Sequence, residues 1–295
     1  MKRFLFYTIF TTLLLGVKAQ TVLNVATQRF EEKMDYQPGQ VLLLNLEKAQ
    51  VSIQGWNQDY YAFEILLKSK HKDRQQAVKE LEYLKYQLKK EGDTLRFSND
   101  FVSGQSFRKV QGILNIELLV KAPRSSKVAV SNAYGATTVS NMSDRVSLEG
   151  KFVDSDVSNC DGDLSLIAVF GSNRISDHAG DLYMDLSRVD LIGNQIKGKV
   201  TGKANYGTIQ LMGLSSAEVD IEARRTSFTL ELIAPIDSYH YDLSTDLGTI
   251  FLEGSMNLKK SSKWEYEGTS NSKITIMTSF SPITIRDNTL NAYKQ

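Results

Sequence analysis

Carboxylates crowd one stretch of this 295-residue chain, and they are its first candidates for chemistry. Gly162-Asp163 and Gly180-Asp181 stand 18 residues apart, with Asp154, Asp156, Asp161, Asp177, Asp185 and Asp190 around them. Carboxylates gathered at turns can collect calcium, which takes six to eight oxygens. The glycine–aspartate nonapeptide of calcium-binding coils is absent, so these residues read as turn residues facing water. A facing pair of carboxylates can also hydrolyse a glycosidic bond, given one concave face with aromatic platforms and basic residues nearby. Arg174, Arg188 and Lys203 are near in sequence but fall at different positions of the pattern described below. A polysaccharide-degrading activity therefore rests on fold analogy alone.

The remaining reactive residues give no constellation. His71, His178 and His240 have no metal-ligand spacing, and the chain has no nucleophile elbow, P-loop or dinucleotide fingerprint. Cys160 is the only cysteine, which excludes an internal disulfide. It shares an 18-residue spacing with Met142, His178, Ile196 and Leu214, and reads as a small buried hydrophobe, with His178 as an interior, hydrogen-bonded residue. No catalytic residue, cofactor-binding residue or metal ligand is assigned, no cofactor is expected, and the chain is expected not to be an enzyme. A formal net charge of +1 gives no footprint for nucleic acid or an anionic membrane.

The elements that must position these residues are visible when the chain is written in rows of 18. Val128, Val146, Leu164, Leu182 and Val200 share a column, as do Val139, Val157, Ile175 and Leu211. Tyr134, Phe152, Phe170 and Tyr206 form an aromatic column, with Gly135, Gly171 and Gly207 directly behind it. Such a period predicts an all-β, single-stranded parallel β-solenoid, β-helix-like, with coils of about 18 residues. Phe at two of the four places predicts that the aromatic column stacks inside the coil rather than offering sugars a platform. In the fourth coil Arg188 replaces the aromatic, and Val189 and Leu191 suggest a local slip. From Glu218 the register moves by one. The template then returns at Tyr241, Leu243, Leu247-Gly248 and Leu252, and again at Ile274, Ile276, Phe280 and Ile285, across a gap carrying Lys259, Lys260 and Trp264.

Four segments follow from this reading. Lys2-Arg3, the apolar run Phe4–Val17 and Val17-Lys18-Ala19 make residues 1–19 a signal peptide, too short for a membrane span of ~20 residues, and nothing after it reads as an integral membrane segment. Residues 20–123 form a β-rich N-terminal cap with short strands at Val41–Leu46, Val51–Ile53, Tyr60–Lys68, Thr94–Ser98 and Ile113–Val120. The cap carries one amphipathic helix at about 73–90, from a capping box at Asp73 and Gln76 and a stripe of Ala77, Leu81, Leu84 and Leu88. Phe101–Lys109 reads as a polar loop, and Ala122-Pro123-Arg124-Ser125-Ser126 as the joint into the repeats at 124–286, which end in a frayed tail at 287–295.

Gln54-Gly55-Trp56 after a strand, a helix-bearing insertion, then Ser131-Asn132-Ala133-Tyr134-Gly135, with a second turn at Asn205-Tyr206-Gly207, resembles the bacterial putative-adhesin domain family. The likeness runs from about Ala49 onward, and departs where Ala136 and Thr208 replace the aspartate that commonly follows the Tyr-Gly. It implies a secreted or envelope-located β-solenoid and carries over no functional residue. The expectation is an exported, non-catalytic protein of the periplasm or cell surface that binds a glycan or protein partner. The alternatives are a scaffold polymerising end to end and a polysaccharide-degrading enzyme.

Overall fold

Side chains alternate between core and solvent along nearly every segment, which is what a half-buried strand requires. A computed structural model of the chain describes residues 23–101, 110–215, 218–253 and 262–287. The expected signal segment 1–19, the loop at 102–109, Lys259, Lys260 and the tail from 288 lie outside the described residues. The fold is all-β, with a long and mostly parallel sheet and one short helix. Its N-terminal part contains β1 (Asn24–Asp35), β2 (Val41–Glu47), β3 (Ala49–Trp56), β4 (Tyr60–His71), α1 (Arg74–Glu80), β5 (Leu84–Glu91), β6 (Thr94–Phe101) and β7 (Ile113–Pro123). Leu42, Leu44, Tyr61, Phe63 and Ile65 supply its core. Strand β1, with no fully buried position, has no clear sequence signal, yet it pairs antiparallel with β4 along its whole length.

The expected helix at 73–90 is corrected. Asp73 does cap it, accepting from the Gln76 backbone N–H at 3.0 Å, but α1 ends at Glu80. A single 3₁₀ turn, Leu81–Tyr83, follows, and Leu84–Glu91 is strand β5, antiparallel to β6. Leu84, Tyr86 and Leu88 satisfy period 2 as well as they satisfy a helical stripe. Pairing with β6 decides between the two, placing the Tyr86 ring against Phe97 at 5.6 Å. Glu80, the last residue of α1, is fully buried. Its carboxylate accepts from the backbone N–H groups of Gln111 and Gly112, both at 2.9 Å, and fixes the approach to β7.

The 18-residue columns are parallel ladders. Strands β8 (Lys127–Ser140), β9 (Val146–Cys160), β10 (Leu164–His178), β11 (Leu182–Ile196) and β12 (Val200–Leu214) pair successively, with Val128, Val146, Leu164, Leu182 and Val200 in register. Strand β13 (Glu218–Leu232) follows with Val200 opposite Val219 and a register irregularity between Met212 and Leu214. The shift expected from Glu218 is therefore present. The expected slip in the fourth coil is not: Val189 pairs with Gly171 and Gly207, and Leu191 with Asn173 and Ile209, without interruption. Val189 and Leu191 are buried, and Gly193 leaves the room that Ile196 and Leu211 fill.

Each of these strands bends at residues with left-handed backbone. One column of bends is Tyr134, Phe152, Phe170, Arg188, Tyr206 and Arg225, and another is Asn141, Asn159, Asp177, Gln195 and Gly213. A left-handed residue inserts one position into the alternation, so burial passes from Val128 and Val130 to Thr137 and Val139, and then to Met142.

Sequence order and spatial order part company at both ends. The rung made of β2 and β3 lies between β8 on one side and β6 and β7 on the other. The joint after Pro123 steps over it, with Arg124 donating to the Trp56 carbonyl at 3.1 Å and accepting from Ser143 N–H at 2.8 Å. At the other end come β14 (His240–Asp246), β15 (Ile250–Glu253), β16 (Lys263–Tyr266), β17 (Lys273–Ser279) and β18 (Ile283–Asp287). Here β17 and β18 are held between β13 and the earlier strands β14 and β15. Antiparallel partners line both ends, β4 and β5 beside β7 and β6, and β16 beside β14. Among the described residues the sheet ends on β1, β5, β15 and β16, each paired on one side only.

Candidate functional site

The first column of bends places a continuous stripe of rings and cations on the outside of the stack. Tyr134 and Phe152 stack at 5.2 Å between centroids and 5° between planes, and Phe152 and Phe170 at 4.6 Å and 3°. Arg188 then lies 5.2 Å from Phe170 and 5.4 Å from Tyr206. Arg225 continues the series, 5.3 Å from Tyr206 and 5.5 Å from Phe280, and donates from a guanidinium nitrogen to the Tyr206 hydroxyl. Lys48, also left-handed, holds its Nζ 4.8 Å over Phe101 near the other end.

This corrects the expectation that the aromatic column is interior. Tyr134 is 50% exposed, Phe152 42% and Tyr206 40%. The reason is the bend itself: alternation would turn residue 134 inward after Val130 and Asn132, but the left-handed backbone puts it at the corner. The sequence holds a signal for this. Inward positions are even at Val128 and Val130 and odd at Val139, so one residue between them has to stand outside the alternation. The glycines behind the rings have a related cause. A Cβ at Gly135 would lie 1.9 Å from the Ala49 carbonyl oxygen, and one at Gly207 2.0 Å from that of Val189. The backbone of one rung packs directly onto the next at this corner.

The acidic residues are dispersed: Asp161 pairs with Arg124 at 3.6 Å, Asp177 sits at the second column of bends, and others line two separate concavities. Asp163 and Asp181 immediately precede β10 and β11, at the start of adjacent rungs. Asp163 pairs with Arg145 at 3.5 Å, and Asp181 Oδ1 accepts from the Lys199 backbone N–H at 2.9 Å. They share a concavity of about 390 Å³ with Tyr183, so their basic neighbours are Arg145 and Lys199, not Arg174, Arg188 or Lys203. Asp154, Asp156, Arg174 and Asp190 lie around a concavity of about 530 Å³, where Asp154 accepts from the Ser172 N–H at 2.8 Å. Among the described residues no group of three or more His, Cys, Asp or Glu side chains is placed to hold a metal ion.

The two interior residues stand as read. Cys160 is buried, and burial pushes its thiol above the usual range. His178 is 1% exposed, and burial holds its imidazole below the usual value. Its Nε2 lies 3.4 Å from the Asp181 carbonyl oxygen, while Nδ1 has no hydrogen-bond partner among the described residues.

No protein-family profile matches the sequence, and no curated protein does. Solved structures do. A putative adhesin from Bacteroides fragilis is 12% identical, covering 88% of this chain and 97% of its own, with a TM-score of 0.45. A putative cell adhesion protein from Clostridium sporogenes is 9% identical over 88% of this chain and all of its own, with a TM-score of 0.26. A putative adhesin from Parabacteroides merdae is 10% identical over 88% and 96%, with a TM-score of 0.37. Likenesses of this size do not bear on ligand or activity. No helix among the described residues is long and apolar enough to cross a membrane.

Proposed function

We propose that this chain is an exported, non-catalytic β-solenoid of about 18-residue coils, acting in the periplasm or at the cell surface as a binding module for a glycan or protein partner. The observation that supports it is the outer stripe from Tyr134 to Phe280. Exposed apolar surface marks interaction sites, and here three stacked rings, continued by guanidinium groups and further rings, run along one corner across successive rungs.

The test is a binding screen of residues 20–295 against purified envelope glycans and solubilised envelope proteins. Saturable binding is expected, and where the ligand is a protein it should be weakened by Phe152→Asn, a residue that tolerates left-handed backbone, while the melting temperature stays within a few degrees. Absence of binding to every component would remove the reading.

A further inference from the structure

We infer that the concavity around Tyr183 is a subsite for a neutral hexose unit of a glycan. The inference rests on the binding-module reading above and gives it a ligand class and a place. The corner stripe is poorly suited to sugars, because its rings stack on one another and their faces are already filled. Tyr183 differs. It is 43% exposed, its neighbours in register are Ser165 and Thr201, and no ring or cation stacks on it among the described residues. Small hydroxyl residues on the adjoining rungs leave space beside the ring, where the C–H face of a hexose meets the negative face of the aromatic system.

Polar groups converge on the same hollow, which has the size of a small-ligand site. Successive rungs present Arg145, Asp163, Asp181 and Lys199; Arg145 is paired with Asp163 at 3.5 Å and Lys199 with Glu218 at 2.8 Å, so both cations are already neutralised within the protein and the hollow does not select an anionic ligand. Each carboxylate has about four acceptor positions, more than its protein contacts occupy, and can take hydroxyl protons from a sugar. The guanidinium of Arg145 and the hydroxyls of Ser165 and Thr201 complete the donors and acceptors. A ring face flanked by paired carboxylates and hydroxyls fits a neutral polyol ring.

Residues 20–295 would be applied to an array of neutral and acidic oligosaccharides, and the strongest neutral hit titrated by calorimetry. Binding to neutral hexose-containing glycans is expected. Tyr183→Ala should weaken it about tenfold, as loss of one ring contact implies. Tyr183→Trp should retain it, Asp181→Asn should weaken it, and Phe152→Asn should leave it unchanged. Neutral binding indifferent to Tyr183→Ala overturns the subsite and leaves the binding-module reading standing. So does binding confined to acidic glycans, or to solubilised envelope proteins. Binding to none of these removes both.

Discussion

The guanidinium of Arg188 lies 5.2 Å from the ring centroid of Phe170, in the place where four other rungs of the column, at Tyr134, Phe152, Phe170 and Tyr206, put an aromatic ring. Its opposite neighbour, Tyr206, is 5.4 Å away. A guanidinium is planar, weakly hydrated and able to stack, so it continues the column without breaking it.

The stack should therefore be measurable as stability. Arg188→Ala is expected to cost about 1 kcal/mol, the scale of an exposed cation–π contact. Arg188→Lys should recover only part of this, because an ammonium does not stack, and Arg188→Phe should recover most of it. Urea unfolding midpoints of the four proteins decide the order.

Close backbone approach at the corner makes Gly207 intolerant. Its φ is +134°, and an added Cβ would lie 2.0 Å from the Val189 carbonyl oxygen. Gly207→Ala should destabilise by about 3 kcal/mol through strain and displacement of the rung below. Gly150→Ala is the control, since its Cβ would meet only the Val153 side chain, at 3.3 Å. Equal unfolding midpoints for the two variants would contradict this account.

His178 should give the protein an acid limb. Burial lowers its pKa in the folded chain below the ordinary value of 6.5, so between the two values the unfolded chain binds more protons. Its favourable contribution is complete above about pH 6.5 and is lost as the pH falls below that, at up to about 1.4 kcal/mol per pH unit. His178→Met, matching the Met142 of its column, should flatten the stability profile between pH 7.5 and 5.5. An unchanged slope would assign the acid limb to other groups.

Glu80 anchors two backbone N–H groups at the start of β7. Glu80→Ala leaves both without their charged acceptor and should cost about 3 kcal/mol. Hydrogen exchange should show the loss first at Gln111 and Gly112 and along β7, while amides in β9–β11 keep their protection. Uniform loss across the sheet would mean that the clamp supports the whole stack.

The columns from Val128 to Leu214 were legible because each rung adds the same number of residues, so a row length of 18 converts register into spelling. The buried carboxylate of Glu80 was not, because its partners lie more than 30 residues away and carry no side-chain signature. Nor was β5, where Leu84 and Leu88 fit two periods and only the partner strand chooses. The side on which Tyr134 lies depends on one left-handed residue, which inverts the alternation without altering the spacing. At the candidate subsite, Arg145, Tyr183 and Lys199 look unremarkable in sequence. They meet Asp163 and Asp181 only because adjacent rungs stack.

The displaced rungs at the two ends have a consequence for how this chain is made. Strands β17 and β18 are translated after β14, β15 and β16 but take the place between them and β13, so the structure cannot grow outward one layer at a time. Strands β2 and β3 emerge early and wait for β6, β7 and β8 to arrive on either side. Deleting residues 273–287 would remove a middle layer, not a terminal one. Both ends of the stack are closed as clasps, each fastened by a segment whose neighbours are distant in the chain, and neither can be shortened without opening the other layers it holds.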